Sequence, residues 1–283
     1  MDAVAQAFRD ACRFDVVSFK PGNVSCDAAG HGMEARDFLR SAAVSARHIA
    51  NRALGVGERV LAAASATRDA VGCNTNLGIL LLAAPLARAA EDGGCGAGLR
   101  AHVAGVLDAL TVEDARAAYA AIRIAAPAGL GKAAAQDVRS EPSVTLREAM
   151  RLAAAQDQLA AQYVNDYAAV FELGLRGLQE ALCLGDSLAD AAQQIFLRFL
   201  SEIDDAHALR KHGGETARWL RTRATQVACT WRACDNQNDR DGLLQRFDSE
   251  LKARGVNPGT SADLTVASLF ALSLSSLPHA PAA

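Results

Sequence analysis

The chain has 283 residues, enough to bury a sizeable core in one domain. Hydrophobic residues make up 51% of it, many of them alanine, and aromatics only 5%, a composition that suits close-packed helices better than sheets. A net charge of −3 supplies no basic field and argues against a nucleic-acid partner.

Val4, Ala7, Phe8, Ala11 and Cys12 recur at helical spacing and predict a helix over 3–18. Pro21 steers Lys20 away from the helical region, so that helix ends near there. Residues 20–33 read as a loop rich in glycine. Helices are predicted over 34–53 and 58–71, the first ended by Gly55 and Gly57. A polar turn, Gly72–Gly78, feeds an apolar helix over 78–90. Residues 91–98 form a surface connection, followed by helices over 99–110 and 112–125 and a long loop over 126–144. Thr145 and Glu148 have the spacing of a capping box, which starts a helix running to about 162. Another helix is expected over 164–180, and Ser187 caps one whose face carries Ala191, Ile195, Phe199 and Ile203. Gly213-Gly214 stops the next segment, and 215–234 and 243–253 are helical. The last helix begins after Pro258–Ser261 and ends near Leu274.

No stretch alternates with period two long enough to make a strand, so the expected fold is all-α, a single multi-helix bundle over 1–274 with a disordered tail at 275–283. Seven cysteines, at 12, 26, 73, 95, 183, 229 and 234, include no Cys-x-x-Cys pair and read as buried, reduced thiols. The first residues carry Asp2, Arg9, Asp10 and Arg13 and lack a signal-peptide apolar region. The longest apolar run, Leu77–Ala87, is too short to span a bilayer. A cytoplasmic protein with no membrane partner is expected.

The polar residues at helix ends carry the chemistry. Asp15 shares the buried face of the first helix and sits at its C-terminus, where the helix dipole disfavours an acid; a metal or a basic side chain must offset it. Lys20-Pro21-Gly22-Asn23 follows, a turn in which lysine can reach a phosphate and glycine lets backbone approach a ligand. His31-Gly32-Met33 ends the same loop. Gly72-Cys73-Asn74-Thr75-Asn76-Leu77-Gly78 opens a helix, whose free N–H groups attract anions, although no Gly-Lys-Ser/Thr closes it. Asp204-Asp205 precedes Arg210-Lys211-His212, a grouping of acids that can hold Mg²⁺ with cations that can face a polyphosphate. Asn257-Pro258-Gly259-Thr260-Ser261-Ala262-Asp263 is a second helix start suited to an anion, with Asp263 alternatively a simple dipole cap.

KPGNVS, His31-Gly32-Met33, Phe38-x-x-Ser41, GCNTNLG and NPGTSADL stand in the order seen in the triphosphoribosyl-dephospho-CoA synthase family, which the chain resembles from roughly residue 10 to 270. The resemblance implies an all-helical transferase. Such an enzyme moves the triphosphoribosyl group of ATP onto the ribose 2′-hydroxyl of 3′-dephospho-CoA and releases adenine. Where members of that family show Asn-Thr-His-Lys-Gly, this chain has Asn74-Thr75-Asn76-Leu77-Gly78, a variant similar to a branch from C1-metabolising organisms.

Under that reading ATP is the donor and Mg²⁺ the expected cofactor. Asp15 and Asp205 are assigned to metal or general base, with Asp204 as the substitute ligand. Lys20, Gly22, Asn23, Arg210, Lys211 and Ser261 are expected to contact phosphate. Gly72, Asn74, Thr75, Asn76 and Gly78 would cradle the nucleotide, and His31 or His212 would serve as the acid. Two other readings stand beside it: an enzyme of tetrahydromethanopterin-type carrier biosynthesis with a pterin-like acceptor, and a non-enzymatic nucleotide-binding protein. A homodimer is a further expectation.

Overall fold

A computed structural model of the chain describes residues 2–26, 32–94, 96–127 and 135–277. Among these there are thirteen α-helices and no strand. The first six are α1 (Ala3–Val17), α2 (Ala35–Ile49), α3 (Val56–Val71), α4 (Leu77–Glu91), α5 (Leu99–Asp108) and α6 (Val112–Ala125). Then come α7 (Leu146–Ala153), α8 (Gln158–Val164), a π-helix over Ala169–Leu175, and α9 (Arg176–Cys183). The chain finishes with α10 (Leu188–Glu202), α11 (Ala206–Ala233), α12 (Gln237–Ala253) and α13 (Gly259–Ser275).

Helix α13 organises the bundle. It is apolar on nearly every side and buries residues such as Leu264, Val266, Phe270 and Leu274, because α1, α4, α10 and the π-helix all pack around it. The approach to the π-helix is close: a β-carbon on Gly174 would lie 2.6 Å from Ser268 Cβ, so glycine is required there. Most of the core lies around α1–α6, α9 and α13. A second apolar cluster joins Phe196, Trp231 and Phe247 of α10, α11 and α12. Helices α10 and α13 supply residues to both clusters, so the two form one domain.

Helix α4 contains Pro85 and continues through it. Proline cannot donate to the Leu81 carbonyl one turn earlier, and its ring crowds that turn. A buried tyrosine fills the gap: Tyr163 Oη donates to Leu81 O at 2.7 Å, and Tyr167 Oη adds a bond to the neighbouring Leu82 O at 3.1 Å. Tyr167 follows Asp166, and both take positive φ, 59° and 53°, just ahead of the π-helix.

The all-helical expectation holds, and the capping pairs at Thr145 and Ser187 are present. Boundaries differ at three places. The helix expected over 145–162 is two, because Asp157 caps a new start by accepting from Leu159 N at 2.9 Å. The helix expected over 164–180 is broken at Asp166–Tyr167, where tethering the tyrosine to α4 forces left-handed backbone. At Gly213, with φ 82° and ψ 173°, the helical run Ala206–Ala233 is interrupted, where the stop at Gly213-Gly214 is expected. Helix α12 begins at Gln237 and not at 243, because Asn236 caps a polar first turn that carries no apolar period. The described cysteines are free as expected, but only Cys12 is buried, and Cys26, Cys183 and Cys229 are exposed; Cys95 lies outside the described residues. Residues 278–283 of the expected tail also lie outside them, while Ser275 still belongs to α13. Among the described residues no helix is long and apolar enough to cross a membrane.

Candidate active site

Helix α1 ends at Val17 with Asp15 on its buried side. The turn through Pro21 sends Lys20 back onto this end. Its ammonium lies 3.0 Å from Asp15 Oδ1 and donates to the carbonyls of Asp15 and of Ser18, the latter at 3.2 Å. One lysine thus offsets both the acid and the negative end of the helix dipole. The counter-charge that Asp15 requires is a basic side chain of its own loop. Lys20 is 1% exposed and enclosed by these partners, so it is not presented to a phosphate. Gly22 makes the turn with φ 82°, and its N–H donates to Asp248 Oδ1 at 2.8 Å. His31 lies outside the described residues.

The acid pair before α11 is divided. Asp204 turns outward and pairs with Arg221 at 3.2 Å. Asp205, 3% exposed, turns inward and ties the starts of two helices together. Its Oδ1 accepts from Ala208 N at 3.0 Å, capping α11, and its Oδ2 accepts from Ser261 N at 2.8 Å and Ser261 Oγ at 2.9 Å in the first turn of α13. Ser261, expected on a phosphate, is therefore held by Asp205. Burial pushes the Asp205 carboxyl above the ordinary range even against these hydrogen bonds and Arg210.

The basic run is also distributed. Arg210 pairs with Asp157, the cap of α8, at 2.7 Å and remains partly exposed. Lys211 faces solvent. His212 holds the Gly255 carbonyl at 3.0 Å through Nε2.

In the turn between α3 and α4, Gly72 closes α3 with φ 74°. Asn74 Oδ1 accepts from Leu77 N at 3.1 Å, and Thr75 Oγ1 donates to Ser41 Oγ at 2.6 Å. These two residues shape the turn. Asn76 precedes α4 with a buried amide nitrogen that has no hydrogen-bond partner. At Gly78 the backbone meets Asp263 of α13: a β-carbon there would lie 2.7 Å from Asp263 Cγ and 3.0 Å from Leu159 Cδ1. Gly78 is glycine because a carboxyl stands against it.

Asp263 is the centre of the arrangement. Desolvation, then Asp15, then Asp205 push its carboxyl well above the ordinary range, with Arg210 pulling back. The same two acids, Asp15 and Asp263, raise the buried Cys12 thiol beyond the effect of its burial. The ends of α1, α4, α8, α11 and α13 therefore meet around Asp15, Asp263 and Asp205, with Lys20 and Arg210 as cations. Acids outnumber bases there, and a carboxyl whose pKa is pushed up by burial and by neighbouring acids lies beside one paired with an ammonium. Two carboxyls held apart in this way are equipped for proton transfer. Asp263 was legible only as a helix cap. Its role depends on Gly78 and Asp15 being brought beside it, which nothing local in the sequence signals.

A family model described as ATP:dephospho-CoA triphosphoribosyl transferase matches residues 1–280. No curated protein matches the chain. Among solved structures, the crystal structure of a protein described as a candidate triphosphoribosyl-dephospho-CoA synthase from Archaeoglobus fulgidus is similar, with a TM-score of 0.65 and 24% identity. The match covers 85% of this chain and 99% of that one, and at this identity it bears on the fold.

Proposed function

The chain belongs to the ATP:dephospho-CoA triphosphoribosyl transferase family, and from that premise we propose that the Asp15–Asp263 cluster is where it transfers the triphosphoribosyl group of ATP to dephospho-CoA. The carrying observation is Asp263, desolvated, crowded by Asp15 and Asp205 and seated against Gly78.

The acceptor hydroxyl attacks C1′ of the ATP ribose, and the bond from C1′ to the adenine nitrogen breaks. The electron pair leaves with adenine, which takes up one proton, and the hydroxyl loses one. Asp263, whose proton is held more tightly than an ordinary carboxyl's by burial and by Asp15 and Asp205, is suited to give a proton to the base. Asp15 accepts the proton of the hydroxyl, and Lys20 holds its carboxyl in place. Arg210, partly exposed beside the cluster, can exchange Asp157 for phosphate oxygens, with Lys211 next to it at the rim. Arg–phosphate pairs are charge-assisted, so the exchange favours a polyanion over one carboxylate.

The residues expected to hold Mg²⁺ do not fit a resident ion. Asp205 gives both oxygens to N–H and O–H donors, Asp204 pairs with Arg221, and no group of three His, Cys, Asp or Glu among the described residues could hold a metal. Mg²⁺ commonly rides on nucleotide phosphates with few protein ligands, and here it belongs with the substrate. A purely binding role is set aside, because a scaffold has no use for a desolvated acid beside a second carboxyl.

The test is adenine release from ATP and Mg²⁺ by the purified protein, followed by chromatography. Release is expected only when dephospho-CoA is present. Release with a reduced pterin and none with dephospho-CoA would overturn the assignment of the acceptor.

A further inference from the structure

The loop Ser18–Ser25 lies against the segment Val256–Pro258: a β-carbon on Gly22 would sit 2.7 Å from Pro258 Cδ and 3.1 Å from the Val256 carbonyl. Each segment carries a side-chain amide with a buried, unpaired atom next to this contact, Nδ2 of Asn23 and Oδ1 of Asn257. The hydroxyls of Ser18 and Ser25 in the same loop are buried and unpaired as well, on residues 2% and 3% exposed. Folded proteins pair nearly all their buried polar atoms, so a group of unpaired ones bordering a site marks positions that a ligand completes.

We infer that Asn257 and Asn23 read the edge of the departing purine. Asn257 Oδ1 accepts from the exocyclic amine of adenine, and Asn23 Nδ2 donates to the ring nitrogen beside it. The inference rests on ATP being the donor. Three observations favour the base over another part of the substrate. The unpaired atoms are neutral, and the lysine of this loop is enclosed by Asp15 and Ser18 and so is not offered to a phosphate. One free acceptor and one free donor match adenine's amine and adjacent ring nitrogen, whereas the corresponding edge of guanine presents an oxygen and, at N1, an N–H, the reverse pattern. Asn257 also leads into α13, which carries Asp263, so a base held here lies on the side of the acid that protonates it. Exchanging the ends of both amides together swaps which residue donates and keeps one donor and one acceptor.

The experiment is calorimetric binding without acceptor, comparing ATP with purine riboside 5′-triphosphate, which lacks the exocyclic amine. The variants are Asn257→Leu, which removes the acceptor, and Asn257→Asp, which keeps an accepting oxygen in the same shape. Wild-type protein is expected to bind ATP at least about tenfold more tightly than the analogue, in line with the loss of one buried hydrogen bond. Asn257→Leu should bind the two equally, and Asn257→Asp should retain the preference; melting curves establish that each variant is folded. If Asn257→Leu does not fold, Asn257→Asp decides, since loss of the preference there contradicts the inference. No preference in wild-type protein, or an undiminished one in Asn257→Leu, overturns it. An intact preference together with no adenine release in the presence of dephospho-CoA would instead overturn the transfer reaction and leave the base pocket standing.

Discussion

Replacing Asp205 by asparagine separates a structural tie from a reacting group. The carboxylate receives Ala208 N at 3.0 Å, Ser261 N at 2.8 Å and Ser261 Oγ at 2.9 Å, and it is 3% exposed. Asparagine has one accepting oxygen. If that oxygen stays on Ser261, the amide NH₂ faces the Ala208 N–H, donor against donor, and α11 loses its cap. Loss of such a cap costs about 1 kcal/mol, and a buried N–H left unpaired about 1–3 kcal/mol. The neutral amide escapes the desolvation that raises the Asp205 carboxyl, which offsets part of this. A net loss of about 2 kcal/mol follows, equivalent to a fall in Tm of about 4–8 °C for a domain of this size. Adenine release should stay within about tenfold of wild type, because neither oxygen is presented to substrate. Differential scanning calorimetry and the release assay on one preparation test both halves. An unchanged Tm with turnover abolished would refute the reasoning and return Asp205 to the role of metal ligand or base.

Asp263→Asn should lower turnover about 10²–10⁴-fold, the range for removal of a general acid. It should also change the pH dependence of stability: a carboxyl whose folded pKa is raised stabilises the native state below its unfolded value near 3.9, and that contribution fades as pH climbs through the raised folded value. Urea midpoints measured from pH 4 to 7 should therefore show the variant gaining on wild type as pH rises; parallel curves would contradict the assignment. Gly78→Ala sets a β-carbon 2.7 Å from Asp263 Cγ, so the carboxyl must shift, and kcat should fall at least about tenfold, since misplacement of a reacting group by about an ångström is costly. Alanine normally gains about 0.5–1 kcal/mol over glycine in a helix, so a variant that is both more stable and fully active would show that the contact is unimportant. Tyr163→Phe leaves the Leu81 carbonyl, already deprived of its helical partner by Pro85, buried and unpaired; about 1–3 kcal/mol of stability should be lost, read from the urea midpoint, with turnover little affected.

Most of the helices were legible because burial of one face repeats at helical spacing and because caps such as Thr145–Glu148 and Ser187 are local signals. The breaks at Asp157 and Asp166–Tyr167 were not, since the first rests on a cap inside an alanine-rich run and the second on a tyrosine bonding a carbonyl of α4. For the site, the need of Asp15 for a counter-charge could be read from its place at a helix end, and the lysine of the following turn supplies it. The density of charge at 204–212 suggested one polyphosphate site, but the side chains diverge: Asp204 faces Arg221, Asp205 faces Ser261, Arg210 faces Asp157 and His212 faces Gly255. Charge density along a chain does not fix direction, and helix periodicity turns neighbouring residues onto different faces. Asp263 gains its meaning from Gly78, and Asn257 from the packing of Gly22 against the flanking Val256 and Pro258, and such contacts between distant segments have no local signature.

The central claim, that this chain transfers the triphosphoribosyl group at the Asp15–Asp263 cluster, is tested most directly by mass spectrometry of dephospho-CoA after incubation with ATP and Mg²⁺, using wild-type protein and folded Asp263→Asn side by side. Wild type should convert dephospho-CoA to a species heavier by one triphosphoribosyl group, with one adenine released per product, and the variant should form it at least about a hundredfold more slowly. No such species from wild-type protein, or equal rates from the two, would contradict the account.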